Sequence, residues 1–123
     1  MKQAVKTDHE NETAQAIRAL QAEIRWWAIE KGWRDETAPP RDPAGLLMLI
    51  TTELAECCEA FRVGNPPCER EGMEVYTHAE EELADAIIRI LQMSDEFGFD
   101  IAGAIMAKMR FNWTREHKHG KAF

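Results

Sequence analysis

Residues 51–62 read TTELAECCEAFR, and helical spacing places Glu53 and Glu56 one turn apart on this segment. At about 100° per residue, Glu53 falls just inside the edge of an apolar stripe, and Glu56 lies about 60° further out. The stripe consists of Leu46, Ile50, Leu54, Cys57 and Phe61. A carboxylate buried without a partner costs several kcal/mol. Glu53 is therefore expected to be protonated, paired with a base or bound to a cation.

Residues 78–90, HAEEELADAIIRI, repeat this pattern. Glu82 and Asp85 are again three residues apart; Glu82 borders the apolar stripe, and Asp85 projects farther toward the polar side. This second stripe consists of Leu83, Ala86, Ile87, Ile90 and Phe97. Two helices that each offer a carboxylate pair can surround a hard cation with oxygen ligands, which suits Mg²⁺ or Mn²⁺. The alternative is that both pairs are simply solvated.

Four helical segments separated by breakers account for nearly the whole chain, and no run alternates strictly enough to predict a strand. The predicted helices cover about 8–31, 43–63, 77–97 and 100–120. Asp42 and Pro43 predict a capped start for the second helix, and Thr77 with Glu80 predicts a capping box for the third. Short connections predict an all-α four-helix bundle, one domain over 1–123 with flexible ends at about 1–8 and 118–123.

Composition limits the possible functions. The 123 residues include 45% hydrophobic and 30% charged residues, a mixture typical of one globular domain. The net charge of −7 argues against general binding to nucleic acid polymers or anionic membranes, since both require a cationic surface. The N-terminal sequence lacks a signal-peptide pattern and no stretch is apolar enough to span a bilayer, so a cytoplasmic location is expected. The three cysteines are expected to be reduced thiols, with Cys57 in the core.

The fourth predicted helix changes along one face from apolar to basic. Ile101 and Ile105 begin a band about 80° wide. The band continues with Lys108, Asn112, Arg115 and His119. These donors could contact a phosphate chain held by metal ions, whereas the alternative is a solvated helix end whose basic residues suit the helix dipole. Trp26 and Trp33 could each stack on a nucleobase or serve only in packing.

A di-iron bundle is a further alternative, but that class needs a Glu-x-x-His motif on each of two helices. Glu116 and His119 alone have this spacing, near the C-terminus.

Taken together, the motifs ELAE (53–56), EELAD (81–85), KMRFN (108–112) and TREHKHGKAF (114–123) resemble those of the MazG-like all-α nucleoside triphosphate pyrophosphohydrolases. The group includes small dCTP pyrophosphatases and dimeric dUTPases, and the likeness covers about three quarters of the chain in the same order. WAIEKGW (27–33) and PPRDP (39–43) also look like small members of the group. Arg89 stands where some relatives carry an aromatic residue.

The resemblance implies hydrolysis of a nucleoside triphosphate, with a deoxynucleotide as the expected substrate, to the monophosphate and pyrophosphate. It implies that Glu53, Glu56, Glu82 and Asp85 bind Mg²⁺. Our mechanistic hypothesis for such a site is attack by a metal-bound water that Glu53 or Glu56 orients or deprotonates. The substrate contacts that it implies are Trp33 near the base together with Lys108, Asn112, Arg115, His119 and Lys121. A non-catalytic bundle that binds nucleotides or partner helices is the alternative.

Family members pair their bundles to complete the site, and the resemblance therefore implies a homodimer or homotetramer. Ile88, Leu91 and Met106 lie outside the main apolar stripes, which predicts apolar surface that one bundle cannot cover.

Overall fold

The computed structural model describes residues 2–122, and it describes side chains over residues 9–122. It contains four α-helices: α1 (Lys2–Glu30), α2 (Pro43–Arg62), α3 (His78–Glu96) and α4 (Ile101–Trp113). A short 3₁₀-helix, His117–Gly120, follows α4. The described residues form no strand, and one isolated bridge joins Pro67 to Thr77. The all-α prediction is thus confirmed, with four helices as a bundle requires.

The predicted ends at about 1–8 and 118–123 fall partly outside the described residues, and nothing tests their flexibility. Over residues 2–122, no helix combines the length and the apolar character needed to cross a membrane.

Local sequence signals define the helix ends. Asp42 caps α2 by accepting a hydrogen bond from the Gly45 amide at 2.8 Å, with Pro43 in the first helical position. Thr77 and Glu80 form the predicted capping box at the start of α3. Gly32 adopts a φ of +77° after α1, a left-handed conformation that favours glycine. The predicted boundaries of the two middle helices are therefore confirmed.

Helix α3 lies between α1 and α2 and contacts both. Contacts from Arg41 to Glu96, from Glu53 to Arg89 and from Cys57 to Ala79 show that α2 runs antiparallel to α3. Helix α1 packs against both α3 and α4. The core contains many small residues, which let helix backbones approach closely. The most buried of them are Ala14, Ala28, Ala60, Ala79, Ala86 and Ala102.

The buried faces of α2 and α3 differ from the predicted stripes. Leu46 and Cys57 are buried as predicted, but Leu54 and Phe61 are exposed. On α3 the predicted core residues Leu83, Ile87 and Ile90 are likewise exposed. Conversely, Leu91 and Met106, predicted to lie outside the core, are buried. The reason is that α3 contacts α2 and α1 on two different sides, so the face between them stays open although its residues are apolar.

The fourth helix is shorter than predicted. It ends at Trp113 instead of continuing toward Gly120, with Thr114 as its C-cap. The Thr114 hydroxyl donates a hydrogen bond to the Phe111 carbonyl at 2.7 Å. Lys118 has a φ of +52°, which is incompatible with a continuing α-helix. Thr114, His117, His119 and Gly120 have modest or low helix propensity, which favours the early stop. The predicted helical band therefore does not extend to Arg115 or beyond.

Candidate metal centre

Three carboxyl groups converge where the middle of α2 faces the first half of α3. Glu53 comes from α2, and Glu82 and Asp85 come from consecutive turns of α3. Each supplies one oxygen, and these three oxygens lie within 4.8 Å of one another. The antiparallel pairing of the helices brings Glu53 level with the pair on α3. We call Glu53, Glu82 and Asp85 the carboxylate cluster.

Burial makes this concentration of acid groups unfavourable without a proton or a cation. Glu53 is 7% exposed, and Oε2 of Glu82 is buried and receives no hydrogen bond from a donor in the described structure. Burial, with the nearby Glu56 and Glu53 carboxyl groups, raises the pKa of Glu82 to about 8. Burial and the charges of Glu53 and Glu81 also raise the pKa of Asp85. The cluster therefore holds a proton on Glu82 near neutral pH when no cation is bound.

Glu53 behaves in the opposite way because it has a cationic partner. The Arg89 Nε–H donates to Oε1 of Glu53 at 2.7 Å. Burial alone raises the pKa of Glu53, but the hydrogen bonds from Arg89 and Glu82 and the charge of Arg89 outweigh it, and the pKa is lowered. One acid of the cluster is thus ionised and its neighbour protonated. Such opposite shifts in adjacent carboxyl groups are typical of catalytic and metal-binding sites.

Glu56 lies at the edge of the cluster. It is exposed on α2, one turn after Glu53, and its carboxyl group is close enough to accept a hydrogen bond from protonated Glu82. Glu56 and Glu82 also line a second cavity of about 240 Å³ together with His78. The structure therefore brings all four predicted carboxylates to one region, with three in mutual contact range of a single ion.

A cavity of about 190 Å³ opens directly beside the cluster, bordered by Glu53 and Asp85. Its other lining residues are Trp27, Trp33, Ile88, Arg89 and Gln92. Trp33 therefore lies next to the predicted metal ligands, and Trp27 lines the same cavity. Two indole rings and a side-chain amide beside acid groups provide stacking and hydrogen-bonding surfaces for a planar polar ligand.

The predicted basic contacts of α4 are separate from the cluster. Lys108 and Arg115 lie over the ring of Phe111, and Oδ1 of Asn112 is buried and has no hydrogen-bond partner among the described residues. His119 and Lys121 lie within and just after the short 3₁₀-helix. Within residues 9–122 no hydrogen bond or ion pair joins these five side chains to the carboxylate cluster. Their role in substrate binding stays a prediction.

Glu81, which the sequence interpretation did not single out, is a buried carboxylate with a different role. Its Oε2 accepts a hydrogen bond from the Cys68 thiol at 3.1 Å, and its Oε1 pairs with Arg70. Arg70 and Cys68 lower the pKa of Glu81 against the effect of burial. The ion pair and the thiol connect the loop before α3 to the helix. Glu81 is thus satisfied within the fold, whereas Oε2 of its neighbour Glu82 receives no hydrogen bond in the described structure.

Among the residues whose side chains are described, no histidine contributes to the carboxylate cluster. Its donor set consists of oxygen atoms and suits Mg²⁺ or Mn²⁺ better than iron. Glu116 and His119, the one pair with di-iron spacing, lie outside any α-helix. Comparisons of this chain with protein-family models, with curated proteins and with solved structures give no match.

Proposed function

We propose that this protein is a Mg²⁺-dependent nucleoside triphosphate pyrophosphohydrolase, with Mn²⁺ as an alternative cation. One observation supports the proposal above all: three carboxyl oxygens from two antiparallel helices lie within 4.8 Å of one another beside a cavity lined by two tryptophans. The motif resemblance to the MazG-like enzymes supports the same reaction. The product would be a (deoxy)nucleoside monophosphate with pyrophosphate, a reaction suited to nucleotide-pool cleansing in the cytoplasm.

The residues of the cluster fit a hard divalent cation. Glu53, Glu82 and Asp85 would hold it, with Glu56 available at the edge for a further oxygen contact. A bound divalent cation supplies Lewis acidity, which polarises the phosphoryl group and lowers the pKa of a coordinated water. Oε2 of Glu82 is buried and receives no hydrogen bond from a donor in the described structure, so a cation could occupy that position.

The remaining groups of the site have roles that follow from their positions. Glu56, which is exposed and next to Glu82, would orient or deprotonate the attacking water, and Glu53 is the alternative. The indoles of Trp27 and Trp33 would stack on the base, and Gln92 would donate and accept hydrogen bonds. By resemblance, Lys108, Asn112, Arg115, His119 and Lys121 would contact the triphosphate.

A panel of ribonucleoside and deoxynucleoside triphosphates with Mg²⁺ tests the function directly. We expect at least one substrate to yield its monophosphate and pyrophosphate in equal amounts, without orthophosphate, and to be inert when Mg²⁺ is chelated. Separation of the nucleotides with a pyrophosphate assay measures both products. Nucleotide binding without turnover across the whole panel would instead establish a non-catalytic nucleotide-binding bundle.

We further propose that the active form is a homodimer or homotetramer. Leu83, Ile87 and Ile90 form an exposed apolar face on α3. Residues two apart on a helix point about 160° apart, so this face is opposite Asp85 and the cavity. On α2, Leu54 and Phe61 are exposed on the side away from Glu56 and add to the apolar area. A second copy of the chain could cover this surface without blocking the metal centre.

Ile87→Glu is expected to shift the protein toward the monomer, because it places a charge in the apolar face while leaving the cluster untouched. Light scattering should give two or four times the 14.1 kDa chain mass for the wild type and a lower mass for the variant. Val75→Glu, at an 85% exposed loop position, is the matched control and should leave the mass unchanged. A wild-type mass equal to one chain at micromolar concentration would contradict the assembly.

A further inference from the structure

The carboxylate cluster already contains one cationic group of the protein itself. The Arg89 Nε–H donates to Oε1 of Glu53 at 2.7 Å, and the Glu53 side chain is only 10% exposed. Arg89 lies one turn after Asp85 on α3, so its guanidinium is held at the border of the cluster. This contact compensates the charge of a carboxylate that would otherwise be buried without a counter-ion.

A divalent cation and the Arg89 guanidinium would repel each other if both contacted the carboxylate cluster. An ion bound by Glu53, Glu82 and Asp85 must approach oxygens that lie within 4.8 Å of one another, and one of these groups is the hydrogen-bond acceptor of Arg89. Two positive groups a few ångströms apart in a partly buried site repel each other strongly. Binding of the cation therefore favours departure of the guanidinium.

The Arg89 side chain has open space on one side, into which it could rotate. On one side it borders the 190 Å³ cavity that also contains Trp27 and Trp33. On its other side lies a space of only about 10 Å³, which Arg41 also lines. The Arg89 side chain is 35% exposed, so a rotation into the larger cavity would gain hydration and would not require the helices to separate.

We propose that Arg89 is an internal counter-ion that competes with the divalent cation for Glu53, and that cation binding displaces the guanidinium into the cavity. Arg89 then serves as a positioning residue that keeps the empty cluster charge-compensated. The inference rests on the proposed metal-dependent function. It makes a prediction with a definite sign: removal of Arg89 tightens cation binding, whereas a residue that merely orients Glu53 would weaken binding when removed.

The test measures Mn²⁺ binding at one fixed pH, by electron paramagnetic resonance of the free ion, in the wild type, Arg89→Gln and Arg41→Gln. We expect the Kd of Arg89→Gln to be about tenfold lower than that of the wild type, within the usual range of coupling between two linked binding events. Arg41→Gln removes an arginine paired with Glu96, away from the cluster, and should leave the Kd unchanged. Arg89→Lys keeps the charge without the planar guanidinium and should give an intermediate Kd.

The possible results separate this inference from the proposed function. If Arg89→Gln binds Mn²⁺ with the same Kd as the wild type or more weakly, the proposed competition is wrong, but the proposed metal centre still stands. No Mn²⁺ binding by any of the proteins would overturn the metal centre itself, and the inference with it.

Nuclear magnetic resonance of the wild type provides a second readout that does not depend on a variant folding. The Nε–H resonance of Arg89 should be shifted and slowly exchanging in the cation-free protein because it is hydrogen-bonded to Glu53. Saturation with diamagnetic Mg²⁺ should remove that shift and speed its exchange with water. A resonance that keeps its position and protection in saturating Mg²⁺ would show that Arg89 stays on Glu53, contrary to the proposal.

Discussion

Asp85→Asn is expected to lower kcat/KM for triphosphate hydrolysis by about 1,000-fold, equivalent to a loss of about 4 kcal/mol of transition-state stabilisation. The substitution keeps the size of the side chain but removes one of three anionic ligands that converge within 4.8 Å. A cation held by fewer charges binds more weakly and neutralises the developing charge at the phosphorus less effectively. Initial rates at saturating Mg²⁺ measure the effect.

The same variant should remain folded, and this separates a lost ligand from a damaged structure. Burial and the charges of Glu53 and Glu81 raise the pKa of Asp85, so ionised Asp85 is held against unfavourable surroundings. Removing that charge should leave the melting temperature of the cation-free protein unchanged or raised. Glu23→Gln on the exposed part of α1 is the control and should retain full activity. Full activity of a folded Asp85→Asn at saturating Mg²⁺ would refute the assignment of this ligand.

Glu82→Gln is expected to stabilise the cation-free protein at alkaline pH by about 3 kcal/mol, with almost no effect below about pH 5. Burial and two neighbouring carboxyl groups raise the pKa of Glu82 from its ordinary value of 4.5 to about 8. The folded protein thus holds this proton more tightly than the unfolded chain does. The resulting stabilisation is complete below about pH 4.5 and is lost as the pH rises through about 8. A glutamine side chain is neutral at every pH, so the variant does not lose this stabilisation.

Denaturant unfolding of the wild type and Glu82→Gln between pH 5 and 9, with a chelator present, measures this difference. The gap between the two free energies of unfolding should widen as the pH rises, while Glu23→Gln should follow the wild type throughout. Added Mg²⁺ should make the wild type more stable than Glu82→Gln at high pH, because the wild type binds Mg²⁺ more tightly than the variant does. A gap that is independent of pH would show that Glu82 titrates normally and that the cluster is not a constrained acid site.

These two predictions describe one physical property of the site. The fold brings together acid groups whose mutual repulsion costs stability, and it compensates them only in part, with a proton on Glu82 and with Arg89 beside Glu53. The nearby Glu81 shows that the same helix can fully satisfy a buried carboxylate with an arginine and a thiol. Incomplete compensation within a well-packed helix pair is therefore local to the cluster. A bound divalent cation, as proposed here, would complete the charge compensation of the cluster and would give a physical reason for this arrangement.

The ends of the two middle helices and the acid pairs could be predicted from sequence because they depend on interactions within one or two turns. The Asp42 cap with Pro43, and the capping box of Thr77 and Glu80, are formed by neighbouring residues and recur in the structure as expected. The three-residue spacing of Glu53 and Glu56, and of Glu82 and Asp85, likewise places each pair on adjacent turns of its helix, whatever the helix packs against.

Tertiary packing decided which faces are covered and which charges meet. The stripes that included Leu54 and Ile87 are apolar enough for a core, yet they are exposed, because α3 uses two other sides to contact α1 and α2. Arg89 contacts Glu53, and Trp27 lies beside the cluster. Both placements depend on the relative positions of α1, α2 and α3 along their axes. Helical periodicity fixes directions around one axis only; the distance and relative height of two helices arise from the packing of their side chains. For this reason the sequence alone determined the two middle helices and their acid pairs, and only the tertiary structure determined that three of those acids converge.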